Sequence, residues 1–247
     1  MTELHVNVDH VATLRQARRT VEPSPLEAVK ILEKTDTDGI TTHLREDRRH
    51  IQDSDIYEID AYLRDSRMAL TFEMGATEEI REICLKTKSK LATIVPEKRE
   101  EVTTEGGMDL SAQKDYLKEF IKPIQANGTE ISFFIDPVSE QVELAKEIGA
   151  EFIELHTGTF ANNFLDGTDY QSEVKRLSEA AKLAESLGLK VNLGHGLTVA
   201  NLPLLLPSVP QARELHIGHS LMANAIYNGL KDEANNFIKI IKAKALT

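Results

Sequence analysis

The chain has 247 residues, of which 41 % are hydrophobic and 28 % are charged, and it carries a formal net charge of −11. This is a globular composition, and the acidic surface argues against nucleic-acid binding because it repels phosphodiester backbones. The single cysteine, Cys84, excludes an intrachain disulfide. No targeting segment or long apolar run is recognisable, so we expect a cytoplasmic protein with no membrane contact.

Eight short apolar runs, most of them rich in β-branched or aromatic residues, predict buried strands. They are Leu4–Val8, Gly39–His43, Met68–Glu73, Leu91–Val95, Glu130–Ile135, Phe152–His156, Leu189–Leu193 and Glu214–Gly218. Amphipathic segments between them predict helices over Leu26–Lys34, Asp55–Arg64, Thr77–Lys86, Ala112–Ala126, Ser139–Ile148, Tyr170–Ser186 and Leu221–Ala243, with a short proline-broken helix over Asn201–Pro207.

The alternation of strand and helix predicts parallel strands with right-handed crossovers. Eight such units in about 250 residues predict an α/β fold, a (β/α)8 TIM barrel, with an open doubly wound sheet as the alternative. No linker or change of composition divides the chain, so we expect a single domain over residues 1–247.

Three long loops are predicted, over Ala12–Ser24, Glu97–Leu110 and Thr157–Asp169. Each follows a strand, and the loops that follow the strands form the active-site mouth of a barrel. The first loop carries Arg15, Arg18 and Arg19, which either bind an anion or form a solvated basic surface.

Polar side chains stand where the predicted strands end. The strand-end set contains Asn7, Asp9, His10, His43, Arg45, Glu73, Asp136, Glu154, His156, His195 and His219. A closed barrel brings these ends to one mouth, which favours an active site that uses histidine and glutamate for proton transfer. His5 and His216 lie within strands, and we expect them to pack. Of Glu154 and His156, we expect one to face the barrel interior and the other the helices.

Two kinds of binding site remain to be weighed. Gly194-His195-Gly196 and Gly218-His219-Ser220 follow the last two strands, where barrels often bind phosphate. Asp9, His10, His43, Glu73 and His195 could instead hold a metal ion. The first strand has no His-x-His pair and no strand presents two closely spaced ligands, so we expect no metal.

Several motifs closely resemble the pyridoxine 5′-phosphate synthase family of vitamin B6 biosynthesis. They are Asn7-Val8-Asp9-His10-Val11-Ala12-Thr13-Leu14-Arg15, Thr42-His43-Leu44-Arg45-Glu46-Asp47-Arg48-Arg49-His50-Ile51, Val95-Pro96-Glu97-Lys98-Arg99, Glu101-Val102-Thr103-Thr104-Glu105-Gly106-Gly107, Phe152-Ile153-Glu154-Leu155-His156-Thr157-Gly158 and Val191-Asn192-Leu193-Gly194-His195-Gly196-Leu197. The second and third of these runs are highly specific. The segment Thr159–Thr168 matches little of the family pattern.

The resemblance implies a reaction without a cofactor. The family condenses 1-deoxy-D-xylulose 5-phosphate with 3-amino-2-oxopropyl phosphate and releases pyridoxine 5′-phosphate, phosphate and water. His43 and Glu73 would accept protons, His195 would donate one, and Glu154 would stabilise a charged transition state. The implied ligands of the deoxyxylulose phosphate are Asp9, His10, Arg45, His50 and Thr103, and those of the aminoketone phosphate are Asn7, Arg18, Gly196, Gly218 and His219.

The resemblance also implies a homo-oligomer, an octamer of dimers-type ring, in which Arg18 reaches its own or a neighbouring pocket. Two alternatives stay open. An aldolase or isomerase barrel that formed a Schiff base would need a lysine at the mouth. The only candidates near strand ends are Lys98, which lies in a loop, and Lys190, which lies at the start of a strand and so at the opposite end of the barrel. A non-catalytic barrel would not need His43, Glu73, Glu154 and His195 together.

Overall fold

The computed structural model describes residues 2–97 and 106–244. Its strands are β1 (Glu3–Asn7), β2 (Gly39–Leu44), β3 (Ala69–Met74), β4 (Leu91–Ile94), β5 (Glu130–Ile135), β6 (Phe152–His156), β7 (Lys190–Gly194) and β8 (Ala212–Ile217). Its helices are α1 (Asp9–Arg18), α2 (Pro25–Leu32), α3 (Asp53–Leu63), α4 (Glu78–Cys84), α5 (Lys114–Phe120), α6 (Lys122–Ala126), α7 (Ser139–Ile148), α8 (Gly158–Asp166), α9 (Gln171–Ser186), α10 (Leu202–Leu205), α11 (His219–Asn228) and α12 (Leu230–Lys244).

The eight strands form a closed parallel barrel in chain order, and β8 pairs with β1. The predicted (β/α)8 TIM barrel is therefore confirmed, and the alternative prediction of an open doubly wound sheet is wrong. All eight strands lie within two residues of their predicted positions. The apolar side chains on the outer face of the strands, such as Val6, Ile40 and Phe133, pack with the helices in one continuous core. None of the helices in residues 2–97 and 106–244 is both long and apolar enough to cross a membrane.

Four segments differ from the predictions. The single helix predicted over Ala112–Ala126 is two helices, α5 and α6. Helix α1 begins directly after β1, so most of the first predicted loop is helical as far as Arg18. Helix α8 occupies most of the third predicted loop. Each of these helices buries only two residues. The single helix predicted over Leu221–Ala243 is two helices, because Gly229 adopts a φ of 88° between α11 and α12.

The interior of the barrel is polar. His5 Nδ1 on β1 lies 3.1 Å from Thr71 Oγ1 on β3, and His216 Nδ1 on β8 lies 2.6 Å from Glu154 Oε2 on β6. These strands are not neighbours in the sheet, so such contacts can form only through the interior. The barrel thus brings ionisable side chains together beneath its mouth.

Candidate active site

The first strand end is fixed to the second by Asp9. Oδ1 of Asp9 accepts the backbone N–H of His43 at 2.9 Å, and Oδ2 accepts Nδ2 of Asn7, also at 2.9 Å. Asp9 is buried, and burial raises the pKa of its carboxyl to about 6 even though the charge of His43 opposes the shift. The carboxyl of Asp9 therefore titrates closer to neutral pH than an ordinary aspartate does.

His43 lies beside Glu73 because β2 and β3 pair in that register. The imidazole Nε2 of His43 is 2.8 Å from Oε1 of Glu97, which comes from the segment after β4. Burial by itself raises the pKa of Glu97, but the hydrogen bond and charge of His43 outweigh it and hold that pKa below its ordinary value. Glu97 lies in one of the family motifs, but no role was predicted for it from the sequence.

Two buried carboxyl groups, Glu73 on β3 and Glu154 on β6, lie close together in the barrel. An oxygen of each lies within 4.8 Å of the other and of a nitrogen of His216. Burial, followed by the negative charges of Glu154 and Asp9, raises the pKa of Glu73 well above its ordinary value. Glu154 is hydrogen bonded to His216, so the two carboxyl groups stand in different environments.

His195 stands on the loop after β7, where its φ of 73° turns the chain sharply. Its ring lies 4.6 Å from the Phe134 ring and 5.7 Å from the His156 ring, measured between centroids. Burial lowers the pKa of His195 to about 4, although the charge of Glu154 opposes the shift. His195 is therefore a neutral imidazole at neutral pH before any substrate binds.

Glu154 and His156 both face the interior side of β6. His156 contacts Phe134 and His195, and its Nδ1 lies 3.0 Å from Oδ1 of Asp136. The prediction that one of the two would face the helices is wrong, because residues two apart on a strand share a face.

Three further histidines surround the site. The rings of His10 and His219 lie 5.3 Å apart, and those of His43 and His50 lie 6.0 Å apart. Burial, with the neighbouring histidine charge, lowers the pKa of His10 to about 4 and that of His50 to about 3. Buried Arg45 lies nearby, with its Nε 3.7 Å from Oδ1 of Asp47. An anion bound here would meet Arg45 and would raise these histidine pKa values.

The backbone at the last two strand ends is open to a ligand. Gly196 is exposed with a φ of 72°, and Gly218 precedes the first residue of α11, His219. A Cβ atom at Gly218 would lie 2.9 Å from Cε1 of His10, so the glycine lets the His10 ring lie this close to the backbone after β8. The N-terminus of α11 thus presents backbone N–H groups beside exposed His219.

Two predicted ligands are not part of this cluster. Arg18 is the exposed last residue of α1 and does not lie on a loop, and Arg15 on the same helix forms two 2.7 Å hydrogen bonds with the carboxylate of Asp55. The prediction of a basic loop is therefore wrong, because one of its three arginines is engaged by α3 and two belong to a helix. Thr103 lies outside the described residues, as do Lys98 and Arg99.

Asp9, His43 and Glu73 have ligand atoms within 4.8 Å of one another, so these three residues could hold a metal ion. Two other groups of this kind contain His216, whose two ring nitrogens already face carboxylates. His10 and His195, which completed the sequence-based metal alternative, belong to none of these groups in the part of the chain that is described.

Comparisons with known proteins give one family. The family described as Pyridoxal phosphate biosynthesis protein PdxJ matches residues 4–243. Curated pyridoxine 5′-phosphate synthases include one from Sulfurihydrogenibium sp., 46 % identical over 238 residues, which span 96 % of this chain and 97 % of the relative. Another, from Hydrogenobaculum sp., is 48 % identical over 240 residues, which span 96 % of this chain and 99 % of the relative.

Solved structures share the architecture at low sequence identity. KGPDC from Streptococcus mutans superposes with a TM-score of 0.64 at 13 % identity and covers 98 % of both chains. A mutant tryptophan synthase alpha-subunit from Pyrococcus furiosus gives a TM-score of 0.65 at 13 % identity and covers 96 % of this chain and 98 % of its own. These likenesses show the barrel fold alone.

Proposed function

The chain belongs to the PdxJ family of pyridoxal phosphate biosynthesis proteins and is an enzyme that forms the pyridoxine ring, and we propose that this chemistry takes place among the polar strand ends of the barrel mouth. The substrates are 1-deoxy-D-xylulose 5-phosphate and 3-amino-2-oxopropyl phosphate. One observation carries the proposal: Asp9, His43, Glu73, Glu154 and His195 come from five strand ends and surround one site.

Each step of the condensation moves a proton. The amine attacks a ketone, and water leaves to give an imine. Phosphate is then eliminated, and the ring closes and becomes aromatic with the net loss of a second water. In our proposal His43 accepts protons, because Glu97 binds its Nε2 and leaves Nδ1 as the base. Glu73 carries a proton in either direction, since burial and the negative charges of Glu154 and Asp9 raise its pKa well above its ordinary value. Glu154 provides a fixed negative charge for a cationic intermediate.

Two sites take the phosphates. Asp9, His10, Arg45, His50 and Thr103 would bind the deoxyxylulose phosphate, and Asn7, Arg18, Gly196, Gly218 and His219 the aminoketone phosphate. The anionic substrates would raise the pKa of neighbouring His195, which starts near 4, and so prepare it to donate a proton.

The reaction is tested by mixing both substrates with the purified protein, without added metal or nucleotide, and following the fluorescence of pyridoxine 5′-phosphate. We expect product from the wild type, loss of product in His43→Asn, and full activity in Lys242→Gln, which removes an exposed surface charge. Absence of product from folded wild type would refute the proposal.

The aldolase alternative is not favoured. Among residues 2–97 and 106–244, Lys190 is the one lysine within a strand, and its Nζ lies 2.6 Å from Oε1 of Glu130, the first residue of β5. Both lie at the amino-terminal ends of their strands, away from the mouth. Borohydride trapping should therefore give no lysine adduct.

We further propose a homo-oligomer in which a second copy covers the surface around Arg18. Leu14, Val21, Ile226 and Tyr227 are exposed on α1, on the segment after it and on the contacting helix α11. Burial of this apolar surface by a second copy would bring Arg18 close to the partner's pocket. Light scattering gives the mass, and mixing inactive Arg18→Ala with inactive His43→Asn should restore activity if Arg18 acts across subunits.

The domain organisation and the location are also proposals. A single domain is supported by a barrel whose strands run from Glu3 to Ile217. The cytoplasmic location and the larger ring of dimers stay predictions from the sequence and the family.

A further inference from the structure

Beneath the mouth, Glu154, His216, Glu214 and His5 contact one another through the barrel interior. Nδ1 of His216 lies 2.6 Å from Oε2 of Glu154, and its Nε2 lies 3.2 Å from Oε2 of Glu214. The rings of His5 and His216 stack with centroids 5.4 Å apart. Glu154, Glu214 and His216 are at most 5 % exposed. The proposed chemistry uses Glu154 and gives His216 no part.

An imidazole between two carboxylates is held as the imidazolium. A neutral ring has only one N–H, so it would turn a lone pair towards one of the two carboxylates. Burial alone lowers the pKa of His216, but the charges and hydrogen bonds of Glu154 and Glu214 outweigh it and hold that pKa well above its ordinary value. Burial raises the pKa of Glu214, yet the hydrogen bond from His216 and the charge of His5 bring it to about 2.

The titratable groups around His216 come from several strands of the barrel. Glu73 on β3 lies within 4.8 Å of it, and His195 follows β7. Lys90, the residue before β4, places its Nζ 3.4 Å from Oε1 of Glu214. Nδ2 of Asn192 donates to Oε2 of Glu214 at 3.0 Å. Of the two neighbouring carboxyl groups, Glu73 and Glu154, it is Glu154 that is hydrogen bonded to the imidazolium of His216.

The backbone leaves room for this arrangement. A Cβ atom at Gly194, the last residue of β7, would overlap Oε1 of Glu154. A Cβ atom at Gly39, the first residue of β2, would overlap the ring of His5. The same glycine that the sequence suggested for phosphate binding, Gly194, therefore provides space for the Glu154 carboxylate.

We propose that His216 is a positioning residue of the reaction: its Nδ1–H holds Glu154 as a carboxylate beside Glu73, so that Glu73 carries the exchangeable proton of the pair. Glu214 keeps His216 charged from the other side. The inference rests on the proposed function, since it assigns a role at the same mouth. His216 acts through Glu154 and contacts no substrate.

The protonation state can be measured without turnover. Nitrogen-15 NMR of the histidine rings in the free wild-type protein at pH 7.5, with His216 assigned by its absence in His216→Asn, should show both ring nitrogens of His216 protonated. A neutral ring would overturn the proposal even if the enzyme makes product, and an imidazolium would support it even if the substrate assignment failed.

The kinetic test compares His216→Asn with Glu3→Gln. Asparagine keeps an N–H donor on strand β8 and removes the positive charge. We therefore expect kcat at pH 6 to fall about tenfold and the acid limb of the kcat–pH profile to move up by about one pH unit. Both KM values should change less than about twofold. Glu3→Gln, which removes a half-exposed carboxylate 3.7 Å from Nε2 of His5, should leave the profile unchanged.

An unchanged acid limb in folded His216→Asn, or a loss confined to KM, would overturn the proposal. Glu214→Gln provides a second route should the first variant not fold, because it preserves the shape of the pair and removes the charge that holds the imidazolium. It should move the acid limb in the same direction.

Discussion

The imidazole of His43 and the carboxylate of Glu97 are joined by a 2.8 Å hydrogen bond between Nε2 and Oε1, although 54 residues separate them in the sequence. Glu97 also accepts the backbone N–H of Gly75 at 3.0 Å and that of Glu46 at 3.3 Å. One carboxylate therefore connects the segments that follow β2, β3 and β4. A carboxylate at Nε2 fixes the tautomer of His43 and leaves its Nδ1 free to accept a proton.

Replacement of Glu97 by glutamine should reduce kcat about 10-fold to 100-fold, the range typical of residues that orient a catalytic group. The amide keeps the size of the side chain, but it can present its NH2 group to Nε2 and so favour the other tautomer. KM should change little. Glu79→Gln, which removes an exposed carboxylate 2.6 Å from Arg48 Nη2, is the matched control. A kcat within twofold of wild type would argue against the orienting role.

Gly194→Ala should lower kcat at least about tenfold, because the added methyl group would occupy the place of Oε1 of Glu154. Glu154 cannot retreat easily, since its other oxygen is hydrogen bonded to buried His216. Steady-state kinetics with a crystal structure of the variant would show whether the carboxylate has moved. Gly128→Ala tests backbone strain alone, because Gly128 has a φ of 89° and no atom lies within 4 Å of the new Cβ. Equal losses in the two variants would remove the steric explanation.

The barrel fold and the residues at its mouth could be predicted from the sequence, because both follow from short-range sequence patterns. Each buried strand is a compact apolar run, and closure in chain order then places Asp9, His43, Glu73 and His195 at one end. Helices α1 and α8 were not predicted, because each begins within two residues of the end of a strand and buries only two side chains.

The pairings inside the barrel could not be predicted in this way. Whether His216 packs against apolar groups or bridges Glu154 and Glu214 depends on which side chains meet across the interior from strands that are not neighbours. The alternation of the strand does show that Glu214 and His216 share a face. Applied to both strands, that rule would have drawn attention to a buried Glu and His on β8 opposite Glu154.

Acid should destabilise the protein through its neutral histidines. Burial lowers the pKa of His50 to about 3 in the folded state, below its unfolded value, so its stabilising contribution is complete above about pH 6.5 and is lost as the pH falls towards 3. At pH 5 this loss amounts to about 2 kcal/mol. Urea unfolding at pH 7 and pH 5 measures the difference. His50→Gln, whose amide oxygen can replace Nδ1 as acceptor for Ile51 N–H, should show a smaller one. The same pH dependence in both proteins would contradict this origin.

Removal of metal ions should leave the activity intact. Asp9, His43 and Glu73 lie close enough to hold a cation, but Asp9 already accepts N–H groups from His43 and Asn7, and Nε2 of His43 already faces Glu97. A divalent cation would moreover hold Asp9 and Glu73 as carboxylates and take from Glu73 the proton that the reaction exchanges. We therefore expect unchanged kcat after dialysis against EDTA, and inhibition by added Zn²⁺ that EDTA reverses. Loss of activity on dialysis, restored by a single divalent ion, would show that the three residues form a metal site and that the proton assignments at the mouth have to be revised.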